Sequence, residues 1–136
     1  YNGTLALDGK PLEHTADLLK KLSAELTIHV VTADTFGMVR EHLSGFSCRI
    51  HVLTGQHQHI QKKSYVTELG PENVAAVGNG RNDREMLKVA ALGIAVINEE
   101  GAGTEALLNA GIVVHSIHDA LDLLIHPKRL IATLRS

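Results

Sequence analysis

Short apolar runs alternate along this chain with longer stretches whose apolar positions recur every three or four residues, a pattern that predicts repeated βα units. The runs at 26–31, 49–53, 74–77, 92–97 and 112–115 read as strands, nearly continuous in apolar character as in a parallel sheet covered on both faces. The stretches 12–24, 35–43, 60–69, 82–89, 105–110 and 117–124 read as helices. In the first of them Leu12, Ala16, Leu19 and Leu22 share one side, with Lys20 and Lys21 outside. A turn at Asp8-Gly9-Lys10-Pro11 precedes it, Thr35 is placed to cap the second helix, and Gly70-Pro71 stops the third. The predicted fold is α/β, a Rossmann-like three-layer sandwich with a mainly parallel sheet, in one domain over residues 1–136.

Two places in this pattern carry more than fold. The run Val74-Ala75-Ala76-Val77 leads into Gly78-Asn79-Gly80-Arg81-Asn82-Asp83, a Gly/Asn turn with one carboxylate ahead of a helix. Such a turn at the carboxyl end of a parallel strand is built to hold a metal ion or a phosphate, because glycine lets backbone approach a ligand and Asn tolerates positive φ. The other place is the N-terminus, where Tyr1-Asn2-Gly3-Thr4-Leu5 reads as the loop that follows a strand. A doubly wound sheet lacking that strand would expose unpaired edges, so a β-strand is expected ahead of Tyr1.

Composition narrows the classes. With 136 residues, 44% of them hydrophobic, there is enough for one core and little for two. A formal net charge of -2 gives no electrostatic footprint for nucleic acid or an anionic membrane, and neither partner is expected. Cys48 is the only cysteine, which excludes an internal disulfide and a Cys-rich zinc site and fits the cytoplasm. No apolar run approaches the ~20 residues needed to cross a bilayer.

Four groups in order, Asn2-Gly3-Thr4, Thr32 at a strand end, Lys62 in a Lys-x-x-x-Val pattern with Val66, and Gly78-Asn79-Gly80-Arg81-Asn82-Asp83, resemble the motifs of the haloacid dehalogenase superfamily of phosphotransferases. The likeness spans nearly the whole chain. Within the superfamily it is nearest to the phosphorylation domain of P-type ATPases, echoed by Thr32-Ala33-Asp34 and the Gly-x-Gly-x-Asn-Asp run, and the chain looks like a soluble relative of that domain. The resemblance implies an Mg²⁺-dependent phosphatase or phosphotransferase acting through an aspartyl phosphate. Its nucleophile would be an aspartate immediately ahead of Tyr1. Thr32, Ala33 and Gly3 would bind the phosphoryl group, and Lys62 would neutralise its charge. The implied Mg²⁺ shell is that aspartate, the main-chain carbonyl of Asn2 and the side chain of Asn79, with Asp83 acting directly or through water.

Two departures qualify the implied activity. Asn2 stands where phosphatases of the family carry an aspartate as general acid and base, a group worth roughly 10²–10⁴-fold in rate, so hydrolysis is expected to be slow. Asn79 stands where a metal-binding aspartate is usual, which removes a negative charge and weakens the metal site. The competing expectations are a phosphate-sensing or regulatory module with little turnover, and a phosphorylation-domain fragment of a P-type ATPase-like protein. No cap domain fits between Thr4 and the first helix or between Ala33 and Gln61. An open site suits a macromolecular phosphosubstrate, or a homo-oligomer whose neighbour covers the cleft.

Blander readings stand beside these. Lys63 rivals Lys62, which is preferred because Val66 and Leu69 flank its core side, and Asp34 is first a helix cap. His57 and His59 read as exposed loop rather than metal ligands, and Gly101-Ala102-Gly103-Thr104 as a plain loop away from the site.

Overall fold

The computed structural model describes residues 1–33 and 38–136. Asp34 and the capping Thr35 therefore lie outside the described residues. The chain opens with a tight turn, then strands β1 (Ala6–Leu7) and β2 (Lys10–Pro11) in an antiparallel hairpin. Asp8 and Gly9 both take positive φ, 50° and 77°, as a two-residue hairpin turn matched to strand twist demands. Helix α1 (Thr15–Ser23) follows, then β3 (His29–Thr32), α2 (Met38–His42), β4 (Arg49–Val52) and α3 (Gln58–Leu69). The second half runs β5 (Ala75–Gly78), α4 (Arg84–Val89), β6 (Leu92–Val96), α5 (Thr104–Asn109), β7 (Ile112–Val114), α6 (Ile117–Ile125) and α7 (Pro127–Leu134).

Every strand expected from the apolar runs is present and parallel to its neighbour, but the ladders form two pieces. β3 pairs with β4, and β5, β6 and β7 pair in that order. Helices cover both faces. On one side α1 and α6 supply Leu19, Leu22, Ile117 and Leu121 to a core that includes Ile94 and Val96 of β6. On the other, α3, α4 and α5 bring Val66, Leu87 and Ala106 against Ala76. This is the expected three-layer α/β architecture, and no cap domain interrupts it among the described residues. No helix of the described residues is long and apolar enough to cross a membrane.

The differences in detail have local causes. In α1 Leu19 and Leu22 are buried as expected, but Thr15 joins them while Ala16 faces out, because Thr15, Leu19 and Leu22 stand at i, i+4 and i+7 and share the narrower stripe. β3 starts later than residue 26 because the amides of Glu25 and Leu26 still bond back to the Leu22 carbonyl. His57 lies exposed in the loop, as expected, at the left-handed position just before α3, whereas His59 is in the first turn of that helix, with ring centroids 6.2 Å apart. The segment 127–134, read as no clear helix, forms α7, with Pro127 in the first turn where a missing N–H costs nothing.

Candidate functional site

The site is built around the turn that leaves β5. Asp83 sits in a short 3₁₀ turn, Arg81–Asp83, and its carboxylate folds back towards the strand end. There Oδ2 accepts from the main-chain N–H groups of Asn79 and Gly80, each at 2.9 Å. A Cβ on Gly78 would lie 2.6 Å from the Asp83 carboxyl carbon, so only glycine leaves room for that return. Oδ1 accepts from Lys62 Nζ at 2.6 Å, and Asn82 holds Gln58 at the head of the same helix at 3.1 Å. Lys62 and Asp83 are 7% and 4% exposed, which makes this a buried ion pair whose geometry has to be well satisfied to persist. Lys63 instead points out to Glu85 at 3.6 Å, which separates the two lysines.

The N-terminal turn packs onto this platform. Gly3 has φ 75°, and a side chain there would meet the Asn79 amide at 2.6 Å. The Thr4 hydroxyl approaches Asn79 Oδ1 at 3.5 Å, while Asn79 Nδ2 donates to the Gly101 carbonyl at 3.2 Å. The N–H of Gly103 donates in turn to the Asn79 carbonyl at 2.7 Å. The loop of residues 101–104 is thus bonded to Asn79, since loops after neighbouring parallel strands leave the sheet at the same edge, though none of its residues lines the cleft described next.

Asn2, Thr32, Ala33, Lys62, Asn79 and Asp83 line one cleft of about 1150 Å³. Gly3 does not line it and is buried beneath, against Asn79. The Tyr1 amine lies in the same region. Burial, and secondarily the charge of Lys62, lowers it from 8.0 to about 6, with Asp83 pulling the other way. The tyrosine ring packs outward against the apolar group around Val30, Val39 and Leu43, its hydroxyl 2.7 Å from His42 Nδ1.

One residue of this assembly gave no signal in the sequence. Asn98, in a left-handed conformation at φ 47°, donates to the carbonyls of Gly3 and Thr4 at 2.8 and 3.1 Å and accepts from the Ile117 N–H at 2.9 Å. It ties the N-terminal turn to the end of β6 and the start of α6. An Asn following an apolar run, with a polar stretch behind it, is the only hint the sequence offers.

The donors near the cleft are hard oxygens: the Asn2 carbonyl, the Asn79 amide and the Asp83 carboxylate. That chemistry fits Mg²⁺ rather than a soft metal. The fit is thin in charge, since Asp83 is already committed to Lys62 and two amides, and among the described residues no three His, Cys, Asp or Glu side chains cluster.

Such a fold, with a turn-borne carboxylate and a buried lysine at the carboxyl ends of parallel strands and no cap, defines a class of phosphoryl-transfer proteins. A family model described as haloacid dehalogenase-like hydrolase matches residues 56–119. An uncharacterized protein of Methanocaldococcus jannaschii is 49% identical over 80 residues, 56% of this chain and 86% of its own length. The chain belongs to the haloacid dehalogenase-like hydrolase family. Among solved structures, the 3-deoxy-D-manno-octulosonate 8-phosphate phosphatase of Moraxella catarrhalis, determined with magnesium, phosphate and its sugar, superposes with a TM-score of 0.64 at 18% identity, over 88% of this chain and 75% of that one. The catalytic domain of the CPx-ATPase CopB-B gives 0.65 at 21% identity, over 85% of this chain and 46% of that one.

Proposed function

We propose that this chain is the core of an Mg²⁺-dependent phosphatase or phosphotransferase that works through an aspartyl phosphate, with the nucleophile on a residue directly ahead of Tyr1. The observation that carries this reading is the buried Lys62 cation held at 2.6 Å on Asp83 beside the Tyr1 amine, in a cleft also lined by Thr32 and Asn79. Lys62 has three donor hydrogens and spends one on Asp83, which leaves it able to meet a phosphoryl oxygen and the attacking carboxylate. In the first step a carboxylate oxygen bonds to phosphorus as the bond to the leaving alcohol breaks. In the second, water displaces the carboxylate and inorganic phosphate departs. Thr32 would donate its hydroxyl to a phosphoryl oxygen, with the adjacent Ala33 main chain and Gly3 completing the cradle. Bound Mg²⁺, held by the Asn2 carbonyl, Asn79 and, through water, Asp83, would offset the charge of the phosphoryl oxygens.

The Asn2 amide neither gives up nor takes up a proton as an acid or base near neutral pH, so the leaving alcohol and the attacking water would depend on solvent, and turnover would be slow. The open cleft suits a phosphorylated macromolecule, or a homo-oligomer that closes it, in the cytoplasm. A phosphate-sensing module is the second reading, favoured by one observation: Asn79 and Asp83 are both engaged within the protein, which leaves few oxygens for a metal. Turnover of an aryl phosphate with Mg²⁺, measured in a chain extended by an apolar strand and an aspartate ahead of Tyr1, separates them. Activity abolished by Lys62→Met supports the enzyme; binding of a phosphate analogue without turnover supports the module.

A further inference from the structure

Asparagine precedes glycine at two places in the chain, Asn2-Gly3 and Asn79-Gly80, and both asparagines line the cleft. An Asn-Gly step is open to attack from within, because glycine carries no side chain to keep its own main-chain nitrogen away from the Asn side-chain carbonyl carbon. That nitrogen, having given its proton to solvent, bonds to Cγ as ammonia leaves, and a succinimide ring closes. Water then opens the ring, at Cγ to leave aspartate or at the main-chain carbonyl to leave isoaspartate. The net change consumes one water and exchanges an amide for a carboxylic acid and ammonia.

The two steps are held very differently. Ring closure needs the Asn-Gly peptide to rotate until its nitrogen faces Cγ. At Asn79 the Gly80 N–H is fixed 2.9 Å from Oδ2 of Asp83, whose other oxygen is bonded to Lys62, and a nitrogen losing its proton there would set negative charge against a carboxylate. The Asn79 side chain is held as well. Its Nδ2 donates to the Gly101 carbonyl at 3.2 Å, its Oδ1 takes the Thr4 hydroxyl at 3.5 Å, and the amide lies against Gly3 too closely to admit a Cβ there. Rotation at this step must first dismantle the turn that carries Asp83. Asn2, by contrast, is exposed, and the bond that rotation would break among the described residues is that from the Gly3 N–H to the neutral Ala6 carbonyl, 2.8 Å long. Gly3 stands at φ 75° in a turn that the Thr4 N–H closes on the Tyr1 carbonyl at 3.1 Å, and glycine accepts a reversal of the peptide before it.

We infer that Asn2-Gly3 is a self-modification site, at which Asn2 deamidates in the folded protein, and that Asp83 guards Asn79 against the same reaction. The product places a carboxylate in the cleft that Lys62 also lines. It adds one negative charge and, as aspartate, gives and takes a proton where the amide does not. The inference rests on the proposed function only for that consequence, an acid and base available to turnover; the modification itself does not depend on it.

The test ages the 136-residue chain in mildly alkaline buffer, folded in one sample and unfolded by guanidinium chloride in the other, then digests both at acid pH and maps the peptides by mass. Exchange of NH₂ for OH marks each converted site, and the aspartate and isoaspartate peptides separate by chromatography. In the folded chain Asn2 should convert at least about tenfold faster than Asn79, because its turn opens locally, while in the unfolded chain the two rates should agree within about threefold. A folded chain whose Asn2 stays an amide while the unfolded chain converts would overturn the inference, and so would Asn79 converting as fast as Asn2 in the fold. The consequence is read separately with Asn2→Asp, made in the chain extended by an apolar strand and aspartate. Aryl phosphate turnover at least about tenfold above that of the extended parent is expected. Conversion of Asn2 on ageing, with no turnover from either extended form, would uphold the modification and defeat the phosphatase reading.

Discussion

The two pieces of the sheet differ in how completely they are finished. β6 has a strand on either side and is buried from Gly93 to Val96, with Ile94, Ala95 and Val96 at 0% exposure. β3 and β5, each paired on one side, alternate buried residues with half-buried or exposed ones along the cleft. β4 is largely exposed, and His51 on it stacks on Tyr65 of α3, whose hydroxyl lies 2.8 Å from Nδ1 of His29 in β3. The difference teaches that the site has a rigid half and a dependent half. Asp83, Asn79 and Lys62 are fixed by bonds within the β5–β7 piece and its helices, whereas Thr32 sits on the two-stranded piece.

The largest effect that would break this contrast comes from the rigid half. Asp83→Ala leaves Lys62 buried without its partner and should cost about 3–5 kcal/mol in urea unfolding. Gly93→Ala puts a Cβ 2.2 Å from the Leu87 carbonyl oxygen and should cost about 3 kcal/mol by overpacking. In the dependent half, Gly45→Ala meets nothing within 4 Å and should stay within about 0.5 kcal/mol by the same measurement.

Next comes Asn98→Ala, which removes the clamp between the N-terminal turn and α6 and strands two carbonyls and an amide. About 1–3 kcal/mol should be lost in thermal unfolding. Smaller again is a pH effect. The Tyr1 amine of the 136-residue chain is lowered to about 6 from 8.0, so between those values the unfolded chain holds a proton that the folded chain has released. Stability should therefore rise from pH 6 to pH 8 by no more than about 3 kcal/mol, and be lowest below pH 6. A chain extended through Tyr1 turns the amine into an amide and should lose that dependence, which sharpens the comparison. A small change should also follow Arg81→Ala in urea unfolding. Its bond to Glu105 is 2.8 Å long but exposed, so the difference from the parent chain should shrink further as salt is added.

How much of this was legible depended on whether the cause was local. The turn from Gly78 to Asp83 could be read because glycines, amides and one acid fall together after an apolar run, and the Lys62 side chain could be chosen over Lys63 from the spacing of Val66. The strands were legible by type, though β3 and α1 shifted where backbone bonds at Leu22 delayed the exit from the helix. Asn98 was not legible, since its partners lie 95, 94 and 19 residues away and no periodicity marks such a contact. The bonds from the loop of residues 101–104 to Asn79 were not legible, because the loop was judged by chain order rather than by the shared edge of parallel strands. Ala16 and Thr15 exchanged roles because Thr15 stands four and seven residues before Leu19 and Leu22, and a threonine carries no apolar signal for a core position.

The central claim is that a carboxylate placed ahead of Tyr1 becomes phosphorylated beside Lys62. The direct measurement is the intact mass of a chain extended by an apolar strand and aspartate, mixed with Mg²⁺ and acetyl phosphate and quenched in acid. A phosphoryl adduct that hydroxylamine removes, and that is absent in the Lys62→Met form and when the new aspartate is replaced by Asn, is the expected result. An extended chain that folds and yet acquires no such adduct would contradict it.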